Sequence, residues 1–151
     1  MHSGAQSTPI ARERRYLIFQ EAAPIDSTID FVTDLLNGGG VQFFAVENEA
    51  VVGWCDIRRI PYPAQRHTGI MGMGVVASHR RQGIGDQLLR VTGDAAFASG
   101  MKRVEMEVFA SNTVAIALYE KHGFAHEGRK RHTVCLGDYF VDTCIMARLA
   151  D

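Results

Sequence analysis

Residues 73–85, which read MGVVASHRRQGIG, give the strongest indication of the fold. The apolar residues that end at Val76 are typical of a strand, and the apolar residues that recur every three or four positions after Ile84 are typical of a helix. Between them lies a turn that carries glycine at two alternate positions. This stretch predicts a strand, a glycine-rich turn and a helix, an order that belongs to α/β domains.

The turn itself has the features of a phosphate site. The first turn of a helix has backbone N–H groups without intrahelical partners, and the helix dipole places positive charge there. Gly83 and Gly85 let a ligand approach this backbone closely. Arg80 and Arg81 add two cations whose forked donors suit phosphate oxygens. A dinucleotide fingerprint needs three glycines and a P-loop needs Gly-Lys-Ser/Thr, so the sequence predicts a phosphate-binding turn of another kind.

Hydrophobic periodicity assigns the remainder of the chain on both sides of this turn. The predicted elements are a strand at 15–21, a helix at 25–36, a hairpin of strands at 41–47 and 50–60, a strand at 67–77, a helix at 84–99, a strand at 102–109, a helix at 112–121, and a hairpin of strands at 124–136 and 139–149. This alternation predicts a mixed α/β sheet. Residues 1–14 are polar and lack a periodic apolar face, so we expect a flexible tail followed by one domain at 15–151.

Composition narrows the class of protein. A length of 151 residues with 46% hydrophobic residues fits one globular domain. The formal net charge of −1 gives no basic excess for nucleic acid or an anionic membrane. No apolar stretch reaches the roughly 18 residues that span a bilayer, and no signal-peptide core is present. Cys55, Cys135 and Cys144 lack metal-ligand spacing, so we expect no metal site. They lie inside apolar, strand-like stretches, so we expect buried thiols and a reducing, cytoplasmic location.

Two motifs carry a resemblance to a known family. Residues 73–85 resemble the acyl-CoA-binding motif of the GNAT superfamily of N-acetyltransferases, whose core is Arg/Gln-x-x-Gly-x-Gly/Ala. The residues that match this core are Arg80, Gly83 and Gly85. Residues 112–124, which read NTVAIALYEKHGF, are similar to a second motif, matched by Asn112, Tyr119, Gly123 and Phe124. With the order of elements, the similarity covers residues 15–149.

The resemblance implies a fold and a cosubstrate. The fold is a single-domain, mostly antiparallel mixed sheet with a splayed parallel central pair, flanked by helices, and the cosubstrate is acetyl-CoA. Pantetheine would enter the gap between the strands matching residues 73–77 and 104–109. The N–H of Val75 would stabilise the oxyanion of the thioester carbonyl. The implied cofactor-binding residues are Val75, Val76, Ala77, Arg80, Arg81, Gln82, Gly83, Ile84, Gly85 and Asn112.

The resemblance also implies the catalytic groups. Tyr119 matches the general acid that protonates the departing thiolate, although a tyrosine at this spacing also packs against Phe124 in a purely structural interpretation. Many members carry a glutamate base where this chain has Gly69, which cannot titrate. Histidine acts as a base near neutral pH, so His67 is the predicted substitute, with an exposed loop histidine as the alternative. The weaker candidates are Glu105 and Glu107.

Two further features have a structural alternative. Asn112 is a common type of helix N-cap as well as a candidate cofactor ligand. Residues 129–132, which read RKRH, offer charge to the 3′-phosphate of CoA or to a carboxylate of the acceptor, or else form a solvated strand face.

The predicted function is transfer of an acetyl group from acetyl-CoA to a primary amine by direct attack in a ternary complex. One alternative is a non-catalytic acyl-CoA-binding regulatory module, and another is a different phosphate binder such as a nucleotide-binding regulatory domain. The acceptor stays open between a small-molecule amine, such as an amino acid, a polyamine or an antibiotic-like amine, and a peptide N-terminus. The resemblance also implies a homodimer.

Overall fold

The computed structural model describes residues 25–151, with side chains from Asp30 onward. The elements in this part are α1 Ile25–Asn37, β1 Val41–Glu47, β2 Ala50–Arg59, β3 Thr68–Val75, α2 Ile84–Ala98, β4 Arg103–Phe109, α3 Thr113–Lys121, β5 Ala125–Leu136 and β6 Tyr139–Leu149. Each predicted helix and strand in the described residues is confirmed to within a few positions. The predicted strand at 15–21 and the predicted tail at 1–14 lie outside them.

The six strands of the described part form one sheet in the order β1-β2-β3-β4-β6-β5. All neighbours are antiparallel except β3 and β4, which run parallel. The β1–β2 hairpin closes through Asn48 and Glu49, whose φ values of 51° and 66° are the left-handed conformations that a tight two-residue turn requires. The expected mixed, mostly antiparallel sheet is therefore confirmed.

The parallel pair separates along its length. Pairing joins Thr68, Gly69 and Ile70 to Arg103, Val104 and Glu105. Beyond Ile70 on β3 and Glu105 on β4, both strands continue without pairing to one another. The expected splayed central pair is thus present, and it leaves a wedge between residues 71–75 and 106–109.

The two faces of the sheet differ. Helices α2 and α3 cover one face, where Leu88, Leu89 and Tyr119 pack with strand residues such as Ile57 and Met106. Since strand side chains alternate between faces, the opposite face carries the intervening residues. On the central strands these are Trp54, Asp56, Gly72, Gly74, Glu105 and Glu107. One face therefore forms the core, and the other presents polar groups beside the wedge.

The three cysteines do not share one environment. Cys55 and Cys144 are buried, as expected, whereas Cys135 is exposed. The expectation for Cys135 was wrong because β5 is the edge strand of the sheet and is exposed along most of its length. No helix in the described part of the chain is long and apolar enough to cross a bilayer.

Candidate active site

The glycine-rich turn connects the open end of β3 to α2. A single 3₁₀ turn at Ala77–His79 follows β3, and Gly83 is the N-cap of α2 with a φ of 82°. The N–H of Gln87 donates to the carbonyl of Gly83 at 3.0 Å. Within residues 25–151 the N–H groups of residues 81–86 have no acceptor. This is the anion-binding arrangement of a helix N-terminus, and its position agrees with the predicted cradle.

The two arginines of the cradle have different environments. Arg80 is half-buried, and its Nε donates to the carbonyl of Val75 at 3.1 Å. This bond fastens the turn to the end of β3. Arg81 is exposed and has a φ of 64°, a left-handed conformation that is uncommon outside glycine. Arg80 therefore positions the cradle, while the Arg81 side chain lies at the surface beside it.

A carboxylate in the first turn of α2 joins this helix to α3. Asp86 Oδ1 accepts hydrogen bonds from Lys121 Nζ and from His122 Nε2, each at 2.9 Å. These bonds, first that from Lys121 and then that from His122, lower the pKa of Asp86 to about 2. Asp86 thereby fixes the end of α3 against the cradle. The sequence interpretation missed this residue, and a carboxylate in the first helical turn was the available signal.

Two backbone N–H groups of β3 point into the wedge. The N–H of Val76 donates to Val52 on β2 at 2.9 Å. Because successive N–H groups alternate in direction along a strand, those of Val75 and Met73 point to the opposite side, where β4 no longer pairs with β3. Val75 was predicted as an oxyanion donor. Met73, a second donor with the same orientation, was missed.

Tyr119 lies on α3 at the depth of Met73. Its side chain is 8% exposed, and its ring centroid is 5.9 Å from that of Phe124, so the packing contact is real. Burial, with a smaller contribution from nearby Cys55, raises the pKa of Tyr119 above its usual value. Cys55 pairs with Met73 across β2 and β3, which places the tyrosine level with that part of β3. Its hydroxyl therefore stays protonated and able to donate.

Asn112 is the N-cap of α3. Its Oδ1 accepts a hydrogen bond from the N–H of Ala115 at 3.2 Å, and the residue is buried. The structural alternative for Asn112 is therefore present. A cofactor contact through its amide group remains a prediction.

His67 lies just before β3, at the end where the parallel strands pair. Its side chain is exposed, and its carbonyl accepts from Lys102 and Arg103 at 2.7 and 3.1 Å. Met73 lies six positions further along the chain, or roughly 20 Å away in an extended strand. The role of His67 as base stays a prediction, and this separation does not favour it.

The other positions considered for the base are closed or occupied. A Cβ at Gly69 would overlap Ile57 and lie 2.7 Å from the sulfur of Met101, so this position faces the core. Glu107 accepts from Thr143 Oγ1 at 2.7 Å and from Lys130 at 3.0 Å. Burial raises the pKa of the Glu107 carboxyl, but these two hydrogen bonds outweigh burial and lower the pKa below its usual value.

The remaining weak candidate and the basic stretch also form ion pairs. Glu105 lies 3.5 Å from Arg103. Arg129 forms a bond with Asp142 at 2.8 Å, and the ring of His132 stacks on Phe140 at 5.1 Å. Arg129, His132, Phe140 and Asp142 border a cavity of about 370 Å³ beside the turn that precedes α3. Its residues are Ala110, Ser111, Arg129, His132, Phe140, Val141 and Asp142.

Asp56 is a titratable group that the sequence interpretation missed. It lies on β2 with 9% of its surface exposed, and it forms no hydrogen bond or ion pair within the described residues. Burial raises the pKa of Asp56 to about 7, and Arg58 only partly opposes this. An aspartate inside the apolar strand sequence VVGWCDI was the available signal.

Comparison with known proteins agrees with this geometry. Residues 9–124 match the model of the Acetyltransferase (GNAT) family. The uncharacterized N-acetyltransferase YycN of Bacillus subtilis is 34% identical over 74 residues, which are 49% of this chain and 47% of YycN. The L-amino acid N-acetyltransferase AaaT of Escherichia coli is 31% identical over 110 residues, which are 72% of this chain and 67% of AaaT. This chain spans about half the length of the first of these curated relatives.

The fold comparison covers almost the whole chain. YncA of Salmonella typhimurium, solved with its cofactor acetyl-CoA, superposes with a TM-score of 0.90 at 17% identity, over 98% of this chain and 86% of YncA. At this identity the match shows the fold. Together with the family model, it establishes the class: this chain belongs to the GNAT acetyltransferase family.

Proposed function

We propose that this protein transfers an acetyl group from acetyl-CoA to a primary amine by direct attack in a ternary complex. The observation that carries the proposal is the wedge between β3 and β4, which opens directly below the free N–H groups of the cradle. A diphosphate bound at the cradle would leave its attached chain to run along β3. That chain could pair with the N–H and carbonyl groups that β4 leaves unpaired.

The residues proposed to hold the cosubstrate fall into three groups. Val75, Val76 and Ala77 supply strand and turn backbone along the pantetheine. Residues 80–85, with Gly83 and Gly85 at the closest approach, surround the pyrophosphate. A Cβ at Gly85 would make ordinary contacts of 3.4 to 3.9 Å with the side chains of Leu118, Met73 and Val75, so this position packs closely against the core and suits a small residue. We also propose that Asn112 contacts the cosubstrate, from the opposite side of the wedge.

Acetyl-CoA, when bound, supplies an activated thioester. The neutral amine attacks the carbonyl carbon, so that a C–N bond forms, the C–S bond breaks, and the products are an N-acetyl amine and CoA thiol. The N–H groups of Met73 and Val75 stabilise negative charge on the carbonyl oxygen. Tyr119 donates its proton toward the departing sulfur, and its depth beside Met73 favours this role over a module that only binds.

The acceptor is proposed as a small-molecule amine or a peptide N-terminus. An amine that also carries a carboxylate agrees with the exposed, positively charged stretch at residues 129–132 and with the name of the relative AaaT, an L-amino acid N-acetyltransferase. His67 remains a proposed base, which a His67→Gln variant tests by its turnover.

We also propose a cytoplasmic homodimer. Two of the three cysteines are buried free thiols, as expected of a reducing compartment. Tyr139 and Phe140 at the tip of the β5–β6 hairpin are each 57% exposed and offer apolar surface to a second copy. Light scattering during gel filtration gives the mass, and a Tyr139→Ser variant that leaves it unchanged removes this hairpin from the interface.

Calorimetry and a thiol-release assay test the function. Acetyl-CoA should bind in preference to ATP and NAD, and CoA thiol should appear only when a primary amine is present. Binding without thiol release from any amine indicates the regulatory module. Preferential binding of ATP or NAD indicates a nucleotide-binding domain and overturns the proposal.

A further inference from the structure

The opposite face of the sheet carries a carboxylate and an indole beside the wedge. Asp56 and Trp54 are two residues apart on β2 and therefore share a face. Their partners across β2 and β3 are Gly72 and Gly74. Neither partner has a side chain, so the groups on β2 lie directly above the backbone of β3.

Both side chains extend from β2 toward β3. A Cβ at Gly72 would lie 3.6 and 3.9 Å from Oδ1 and Oδ2 of Asp56. A Cβ at Gly74 would lie 2.6 Å from Cη2 of Trp54, so the indole covers that glycine closely. Gly72 is exposed whereas Gly74 is not. The surface is therefore open beside the carboxylate, at the strand edge that borders the wedge.

The depth of this pair matches that of the proposed chemistry. Gly72 precedes Met73, whose N–H points into the wedge and whose partner on β2 is Cys55, the neighbour of Tyr119. Tyr119 reaches this level from the helical face. Asp56 and Trp54 reach it from the opposite face, so an acceptor and the proton donor would meet the thioester from opposite sides.

A carboxylate beside an aromatic face is suited to one class of ligand. The carboxylate attracts a cation and accepts its hydrogen bonds, and the indole face attracts the same cation through its quadrupole. A carboxylate that is nine-tenths buried and has no hydrogen bond or ion pair among residues 25–151, as Asp56 is here, is costly unless a ligand supplies the missing charge. A primary ammonium group fits this description.

We propose that Asp56 and Trp54 bind the ammonium group of the acceptor amine and that Asp56, in place of His67, accepts its proton. This rests on the proposed acetyl transfer. The N–H bond of the ammonium breaks, the proton passes to a carboxylate oxygen of Asp56, and the lone pair left on nitrogen attacks the thioester. The proton then leaves Asp56 for solvent. Burial supports the role because it keeps the carboxylate basic enough near neutral pH.

Trp54 gives a direct readout of binding because it is the single tryptophan of the chain. The protein with bound CoA is titrated with L-alanine, L-alaninamide, spermidine and 2-phenylethylamine while the indole fluorescence is followed. We expect saturable changes that weaken at least about 10-fold in Asp56→Asn. The neutral 2-phenylethanol should bind equally, and weakly, to both proteins.

Turnover provides the second measurement. In Asp56→Asn, kcat/KM for the amine should fall about 100-fold, with the affinity for acetyl-CoA within about twofold of wild type. Asp94→Asn removes an exposed carboxylate on α2 and should leave all values unchanged. Asp56→Ala, with a smaller side chain, should show the same loss if the fold tolerates the change.

The two measurements separate the proposals. Turnover that Asp56→Asn retains within about twofold overturns the role of Asp56 and leaves acetyl transfer standing. Binding of amines that depends on Asp56 without any turnover supports the ammonium site and overturns acetyl transfer. No amine binding in the wild-type protein, or equal binding of amine and alcohol, overturns the ammonium site.

Discussion

The two ends of β3 differ in how far their backbone and side chains are already packed. At its start, Gly69 lies in the ladder with β4 and against Ile57 and Met101, with no room for a side chain. At its end, Met73 and Val75 face a gap, and Gly72 between the two ends is exposed. The two glycines of β3 therefore have different roles, because Gly69 allows close packing in the core whereas Gly72 leaves the surface beside it open.

This contrast indicates where on β3 a ligand could gain hydrogen bonds. Backbone groups paired in the ladder are already satisfied and have little to offer a ligand. The N–H groups of Met73 and Val75, which β4 leaves unpaired, and the N–H groups of the cradle are still without partners in the described chain. Four sets of substitutions test this contrast between the two parts of β3, and the one expected to change the protein most comes first.

The largest effect concerns Asp56, the buried carboxylate beside the open part of β3. Its carboxyl ionises near pH 4 in the unfolded chain and at about pH 7 in the folded one. Folded protein therefore binds the extra proton, and the free energy of unfolding falls as pH rises from about 4 to 7, by about 4 kcal/mol from this group. Urea unfolding of wild type and Asp56→Asn at about pH 4.5 and about pH 8, near the two ends of this range, measures the difference in the free energy of unfolding.

In that experiment, Asp56→Asn should gain stability relative to wild type at the higher pH and little at the lower pH. Asp94→Asn is the control and should show the same pH dependence as wild type. A difference between Asp56→Asn and wild type that does not change with pH would contradict the burial of a proton-binding group at this position.

The next effect concerns Tyr119. Replacement by Phe keeps the contact with Phe124 and removes only the hydroxyl, so kcat should fall about 100-fold, or about 2.7 kcal/mol of transition-state stabilisation. The KM for acetyl-CoA should change by less than about twofold. Steady-state thiol release measures both values. A rate close to that of wild type would leave Tyr119 with its packing role alone.

A pair of glycine variants compares the two regions of β3 directly. Gly69→Ala places a methyl group against Ile57 and the sulfur of Met101, so the free energy of unfolding should fall by about 2 kcal/mol. Gly72→Ala makes only ordinary contacts with Asp56 and should change it by less than about 0.5 kcal/mol. Chemical denaturation gives both values. Equal losses would show that the two positions are not different in packing.

The smallest effect concerns the cradle. Gly83 and Gly100 both have a positive φ, 82° and 103°, and a Cβ at either meets no atom within 4 Å. Alanine at each should cost about 1 kcal/mol of stability because the left-handed conformation is strained. Only Gly83→Ala should weaken the binding of acetyl-CoA, by about 10-fold, because its methyl group would lie at the proposed position of the pyrophosphate. Calorimetric titration of both variants decides, and equal affinities would remove residue 83 from the cofactor site.

Much of this arrangement could be read from local patterns. The strand, turn and helix around Gly83 follow from apolar periodicity and glycine placement, and the hairpins follow from short turns between strand-like stretches. The two motifs also located Val75 and Tyr119. These features depend on residues that are neighbours in the chain, which is why the sequence carries them.

Other parts of the site depend on register. The strand pairing of Asp56 with Gly72 could not be predicted from the order of residues. The same holds for the shared orientation of Met73 and Val75, and for the contact of Asp86 with the end of α3. Sequence spacing also placed His67 on the face of Gly69, yet Gly69 faces the core and His67 lies at the paired end of the strand.

The class of fold, the turn proposed to bind phosphate and the strand proposed to hold the acyl group could all be predicted from the sequence, because periodicity and backbone conformation are local properties. The tertiary structure alone decided which groups meet across strands and between helices. It brought Asp56 and Trp54 from β2, Met73 from β3 and Tyr119 from α3 to one depth of the wedge. The physical reason is that burial, pairing and charge act through space, between residues that the chain keeps far apart.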